Sequence, residues 1–213
     1  TLLETEWDSS SHAAAPRHRL DLLSRELPML PERFASHRAY SEATMAGVLG
    51  PLQSRARKAE AVTLASMVFL NRGDRFEAEP LPREAQWAPA FGVSVADFDG
   101  DGREDVFLAQ NFFAVAGETP RLDAGRGLLL RGGGSPAGEP GGKGAGENSP
   151  IPPFSPSPPL NSSLLTPVPG QQSGIEIYGE QRGAAVADYD ADGRADLVVT
   201  QNGAATKLFH NVA

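Results

Sequence analysis

Apolar positions recur along this chain with more than one spacing, and each spacing predicts a different kind of element. Over 18–27 (HRLDLLSREL), Leu20, Leu23 and Leu27 fall at i, i+3 and i+7, which is one face of a helix. Pro28 and Pro31 are expected to stop it. Ser41 is placed to cap a second helix over 42–49. Gly50 then closes that helix and Pro51 opens a third. Arg55, Arg57 and Lys58 sit toward the end of the third, where the helix dipole favours cations. The stretch 1–62 therefore reads as a flank of solvated helices packing one apolar face, with no chemistry in it.

Past that flank the apolar runs become short, β-branched and aromatic, and turn residues bound them. The segment 66–81 (SMVFLNRGDRFEAEPL) predicts a β-hairpin, with runs at 67–70 and 76–78 around Asn71-Arg72-Gly73-Asp74. Turn chemistry accounts for Asn, Gly and Asp there. Arg72-Gly73-Asp74 is also the tripeptide of integrin ligands.

Two further stretches repeat one another. Residues 92–111 (GVSVADFDGDGREDVFLAQN) and 183–202 (GAAVADYDADGRADLVVTQN) are identical at eleven of twenty positions, at a constant offset of 91. Each copy places an apolar run (93–96 or 184–187) before a nine-residue acidic loop and a second run (106–109 or 197–200) after it. Runs of this length and composition are strands, so each acidic loop is expected to cap a β-hairpin.

The loops read D-x-D-x-D-G-x-x-D. The first copy supplies Asp97, Asp99, Asp101 and Asp105; the second supplies Asp188, Asp190, Asp192 and Asp196. Gly102 and Gly193 hold the sixth position, where a sharp turn needs positive φ. Four carboxylates so close in sequence repel one another unless a cation lies between them. Alternate residues of a curled loop can aim at one centre, and the seventh residue, Arg103 or Arg194, can add a backbone carbonyl. An all-oxygen set of that size suits Ca2+, one ion per loop, with Mg2+ second because it demands a stricter octahedron. Transition metals prefer His or Cys, and neither lies in the loops. The pattern is not an EF-hand: position twelve is Leu108 or Val199, not Glu, and the flanks are strands.

Composition narrows the picture. The chain has 213 residues and a formal net charge of −8, which argues against a nucleic-acid partner. It has no cysteine, which excludes disulfides, thiolate metal sites and a thiol nucleophile. No apolar run reaches the roughly 18 residues of a membrane helix, and no basic-then-apolar leader pattern is present. Residues 131–170 hold 9 Gly, 10 Pro and 6 Ser. Such a stretch cannot bury enough apolar surface to order itself, so 132–173 is expected to be a disordered low-complexity insertion. Within it, Pro156 to Pro159 could form polyproline II, and Asn161-Ser162-Ser163 is a formal glycosylation sequon.

Ala-Asp-Phe-Asp-Gly-Asp-Gly-Arg-Glu-Asp and Ala-Asp-Tyr-Asp-Ala-Asp-Gly-Arg-Ala-Asp resemble FG-GAP/VCBS repeats, the units of integrin-α-like β-propellers. The tail 201–211 and Phe69-Leu70-Asn71-Arg72-Gly73-Asp74 more narrowly resemble the cartilage acidic protein/ASPIC-UnbV family. The resemblance covers 64–131 and 174–213. It implies a calcium-binding propeller portion from an exported protein, at the cell surface, outside the cell or in the periplasm, with no established catalytic role. Without the insertion the repeat offset is about 51 residues, close to a blade of ~50. The expected architecture is thus mainly β: a partial propeller of about two blades, 63–131 and 174–213. Two blades cannot close a ring, so a longer parent chain is expected. Ala191 stands where the first copy has Gly100, a departure expected to matter little.

The function expected is a non-enzymatic calcium-binding module for a protein or glycan partner. The alternative is a fragment of a calcium-assisted enzyme acting on acidic polysaccharide or phosphate ester. No G-x-S-x-G or H-E-x-x-H occurs. His12, His18 and His37 fall in the flank, and His210 ends a strand.

Overall fold

The computed structural model describes residues 2–61, 63–115, 117, 119–133 and 164–212. It is mainly β, with four small antiparallel sheets. The chain forms two compact units, Thr1–Val62 and Thr63–Ala213. No helix among the described residues is long and apolar enough to cross a membrane.

The first unit corrects the expectation of an all-helical flank. It opens with an antiparallel hairpin, β1 (Thr5–Asp8) and β2 (Ala13–Pro16). The Asp8 carboxylate makes that turn by accepting the backbone N–H groups of Ser10 and Ser11 at 3.0 and 3.1 Å. The Ser11 hydroxyl, then the Ser10 N–H and hydroxyl, with the Ser11 N–H behind them, hold the Asp8 pKa well below the usual carboxylate range. Short helices follow: α1 (Leu20–Glu26), α2 (Leu30–Arg33), α3 (His37–Ser41) and α4 (Met45–Leu49), then a 3-10 turn over Gly50–Arg55. Pro31 opens α2 rather than ending α1, because a proline at the first turn forfeits no hydrogen bond. Ser41 is not an N-cap. Ser36 and Thr44 cap α3 and α4 by accepting the N–H groups of Ala39 and Gly47, both at 3.1 Å. Leu20, Leu23, Leu30, Tyr40, Met45 and Val48 form the core of this unit.

The second unit carries the repeats. The predicted hairpin is β3 (Met67–Asn71) paired with β4 (Phe76–Pro80). Its turn is held by Asn71 Oδ1, which accepts the Gly73 N–H at 2.8 Å, and the Arg72 guanidinium reaches back to Glu77 at 2.8 Å. The first repeat builds β5 (Ala90–Ala96) and β6 (Asp105–Gln110), extended by β7 (Leu128–Gly132) and β8 (Leu165–Val168) into a four-stranded sheet of order β5-β6-β7-β8. The short helix α5 (Gly170–Ser173) leads to the second repeat. There β9 (Glu180–Ala187), β10 (Asp196–Asn202) and β11 (Ala204–Phe209) form a sheet of order β11-β10-β9.

The low-complexity expectation over 132–173 is corrected at both ends. Gly132 belongs to β7, and 164–173 is ordered because Leu165 buries into the core while β8 pairs with β7. The Pro156–Pro159 run and the Asn161 sequon lie outside the described residues.

Strand β6 is buried on both faces, which explains its unbroken apolar run. Phe107 and Ala109 pack with Leu197 and Val199 of the second repeat and with Ile175 and Ile177 of the connection before it. Leu108 packs on the other side with Leu81, Ala85, Leu130 and Leu165. The two sheets come close where Gly92 of β5 faces Gly183 of β9, equivalent positions of the repeat. A Cβ added at Gly92 would lie 3.1 Å from the Gly183 Cα and 3.2 Å from the Ala184 nitrogen.

Two asparagines close the repeats by different contacts. Asn111 is fully buried at φ 88°, and its amide clasps Gly125 through both its N–H and its C=O at 2.8 Å. Asn202 instead donates to the buried Glu180 carboxylate at 2.6 Å. Glu180 also accepts the Phe113 N–H at 2.9 Å and pairs with Arg182. The Phe113 and Asn202 bonds, with the Arg182 charge behind them, hold the Glu180 carboxyl below its usual range against the opposing effect of burial.

Two outcomes are expected. Gly92→Ala should destabilise the second unit by about 1–3 kcal/mol in denaturant melts, because the new methyl meets backbone that cannot yield. Glu180 contributes stability that is fully present above its unfolded pKa of about 4.3 and is lost as pH falls through its depressed folded value. Acid titration followed by circular dichroism should therefore show a shallower acid limb for Glu180→Gln than for the unmodified chain.

Candidate functional site

The two acidic loops cap β5–β6 and β9–β10, and each runs from the first carboxylate at a strand end to the last at the next strand's start. Most of their internal hydrogen bonds match, the bond from the fourth residue being given by Gly100 alone. Asp97 accepts the N–H groups of Gly100, Asp101 and Gly102 at 2.8, 3.1 and 2.8 Å. Asp188 accepts those of Asp192 and Gly193 at 3.0 and 2.9 Å. The Arg103 and Arg194 N–H groups donate to Asp101 and Asp192, both at 2.9 Å. Gly102 and Gly193 take φ 82° and 88°, as the sharp turn requires.

The closing aspartates behave differently from the others. Asp105 and Asp196 are buried, and both oxygens of each are engaged. One oxygen takes the N–H of the loop's second residue, Phe98 or Tyr189, at 2.9 or 2.8 Å. The other takes an N–H at the end of the third strand, Gly132 at 2.8 Å or Asn211 at 2.7 Å. Each closing aspartate thus ties a hairpin tip to the neighbouring strand. The Asn211 and Tyr189 N–H groups, aided by nearby His210, hold the Asp196 carboxyl below its usual range although burial opposes them.

Convergence of the remaining carboxylates is only partly as expected. In the first loop Asp97, Asp99 and Asp101 bring oxygens within 4.8 Å of one another, and Asp105 is not in that group. In the second, Asp188, Asp190 and Asp196 converge, while Asp192 groups with Asp190 and His210. The Arg103 side chain turns outward to the Gly133 carbonyl at 3.0 Å, and the Arg194 guanidinium lies 3.2 Å from Asp192. The three-oxygen set of the first loop fits a hard cation. The second loop fits one too, with an imidazole beside it.

That imidazole belongs to a feature the repeat comparison misses. Arg131 follows β7 residue Leu130 as His210 follows β11 residue Phe209, and Leu130 and Phe209 pair with the equivalent residues Val106 and Leu197. Arg131 Nε lies 2.7 Å from Asp99 Oδ2, and His210 Nε2 lies 2.7 Å from Asp190 Oδ2. A basic side chain from the third strand therefore meets the third residue of each loop. The connection from β6 to β7 is longer than that from β10 to β11, so no constant offset aligns these two residues. Asn211 also joins the loops directly, donating from Nδ2 to the Phe98 carbonyl at 2.7 Å.

No protein-family model, curated protein or solved structure matches the chain. The likeness to FG-GAP/VCBS repeats thus rests on the loop residues themselves.

Ala191 overturns the expectation that its replacement of glycine matters little. It sits at φ 63°, in the left-handed region that Gly100 occupies at 73°. Ala191→Gly should stabilise the second unit by about 0.5–1 kcal/mol in denaturant melts, since relief of the left-handed strain exceeds the entropy of the added glycine.

Proposed function

We propose that this chain is a non-enzymatic, divalent-cation-binding β-repeat module of the FG-GAP/VCBS type. In this reading it forms about two blades of a propeller whose remaining blades belong to a longer chain. The single observation that carries the reading is the recurrence of one loop, with matching backbone bonds and converging carboxylates, at the same place in two sheets.

Asp97, Asp99 and Asp101 would hold one cation; Asp188, Asp190 and Asp196, with Asp192 alongside, would hold the other. A bound divalent ion would supply the positive charge that these oxygens ligate. The chain's own work is to hold the carboxylates in place: the loop N–H groups orient Asp97 and Asp188, and Asp105 and Asp196 anchor each tip to its third strand. Carboxylates so placed repel one another, so cation binding contributes folding energy as well as ligation. Calcium is the preferred ion because exposed, irregular, oxygen-only loops suit it better than magnesium, and loops of this exposure suit the calcium levels found outside cells.

An uncovered strand face supports membership of a larger assembly. Phe91, Val93 and Val95 of β5 point outward and are 45%, 62% and 54% exposed. Such a row is what a further blade or a protein partner would cover. The partner in this reading is a protein or glycan met by the exposed loops.

Differential scanning calorimetry of the chain in metal-depleted buffer, then with millimolar calcium, tests the reading. The second unit should melt at a higher temperature with calcium, and Asp97→Asn or Asp188→Asn should each diminish the gain. Equal melting temperatures, with no heat of calcium binding by titration calorimetry, would remove it.

A further inference from the structure

Between the two loops, within the second unit, lies a cavity of about 270 Å3. Its apolar wall includes Leu129, Ile175, Leu197 and Phe209, drawn from both sheets and their connection. An apolar cavity of about 150 Å3 suffices for benzene, so this one accommodates a ring with a substituent. At its rim stand Arg131 and His210, the two basic side chains that meet the loops.

Three other polar side chains of the lining, Asp105, Asn211 and Ser173, are committed elsewhere. Both oxygens of Asp105 accept backbone N–H groups. The Asn211 amide donates to the Phe98 and Ala195 carbonyls. Ser173 accepts the Ile175 N–H. Arg131 and His210 differ, because each is directed at an exposed or half-buried loop carboxylate that can take another partner. Their 2.7 Å contacts to Asp99 and Asp190 are one of two arrangements open to them. A cation held by those aspartates repels the guanidinium and removes the charge that attracts it. Both basic side chains line the cavity and are about half exposed, so a carboxylate seated there would compete with water, not with the loop, once they are released.

We propose that this cavity binds a small amphipathic carboxylate, and that cation occupancy of the loops opens it. The apolar body sits against Leu129, Leu197 and Phe209. The carboxylate takes the Arg131 guanidinium, whose planar fork suits two parallel bonds to such a group, with His210 Nε2–H as a second donor. With no cation, the ligand must compete with Asp99 and Asp190 for these donors. With both loops filled, it meets a net positive rim over an apolar floor. The coupling rests on the cation reading given above. By linkage it is reciprocal: the carboxylate raises the combined affinity for the two cations by the factor by which the two together raise its own.

Benzoate and its neutral counterpart benzyl alcohol are suitable probes, titrated calorimetrically against the full chain. The buffer is depleted of metal on a resin rather than with a carboxylate chelator, then supplemented with calcium chloride. Benzoate affinity should rise by about tenfold with calcium, the strength of a charged hydrogen bond, and benzyl alcohol should show no such rise. The product of the two calcium affinities should increase by the same factor in saturating benzoate. Arg131→Gln should abolish most of the rise, and Leu129→Trp should block benzoate while leaving calcium binding in place. Calcium binding with unchanged benzoate affinity would overturn this proposal alone. Absence of calcium binding would overturn it together with the cation reading. A rise shared equally by benzyl alcohol would assign the effect to the apolar wall and overturn the role of Arg131 and His210.

Discussion

One buried carboxylate per repeat holds the second unit's architecture in place. Asp105 and Asp196 each accept an N–H from the loop they close and an N–H from the far end of the third strand. A buried carboxylate that lost either bond would leave a charge without compensation, so both tips are locked to their neighbours. The two loops share this anchoring although only about half the repeat's residues are identical. The remaining aspartates crowd at each tip, Asp97 with Asp99 and Asp101 in one loop and Asp188 with Asp190 in the other.

That crowding is the source of the functional reading. Converging aspartates need positive charge, and the chain offers two kinds. One is internal: Arg131 and His210 lean from the third strands onto Asp99 and Asp190. The other, in the reading proposed above, would come from solution as a divalent ion. The two would compete for the same oxygens, which would make the basic residues a link between the loops and the apolar cavity they border. Asn211 connects the loops further by capping Asp196 with its backbone and Phe98 with its side chain.

Much of this was legible in the sequence, and the limits are physical. The hairpins follow from short apolar runs around turn residues, and Gly102 and Gly193 do take the left-handed backbone that their position requires. Ala191 misled, because a residue between ligands was weighed for its side chain and not for its φ. Ser41 misled because Ser36 and Thr44, equally good caps, lie nearer the true helix starts. Strand β8 was hidden inside a Gly/Pro/Ser-rich stretch whose composition masks a local apolar pair, Leu164 and Leu165. The dual role of Asp105 and the paired positions of Arg131 and His210 depend on third strands reached by connections of different length. No fixed spacing encodes them.

The most direct test follows the amide resonances of Gly102 and Gly193 by NMR during a calcium titration in resin-depleted buffer. Both N–H groups point at the first carboxylate of their loop, so each reports on its own site. The account predicts saturable shifts of both resonances, reversed when calcium is withdrawn, with residues of the first unit unmoved. Resonances of Gly102 and Gly193 that stay in place at millimolar calcium would contradict it.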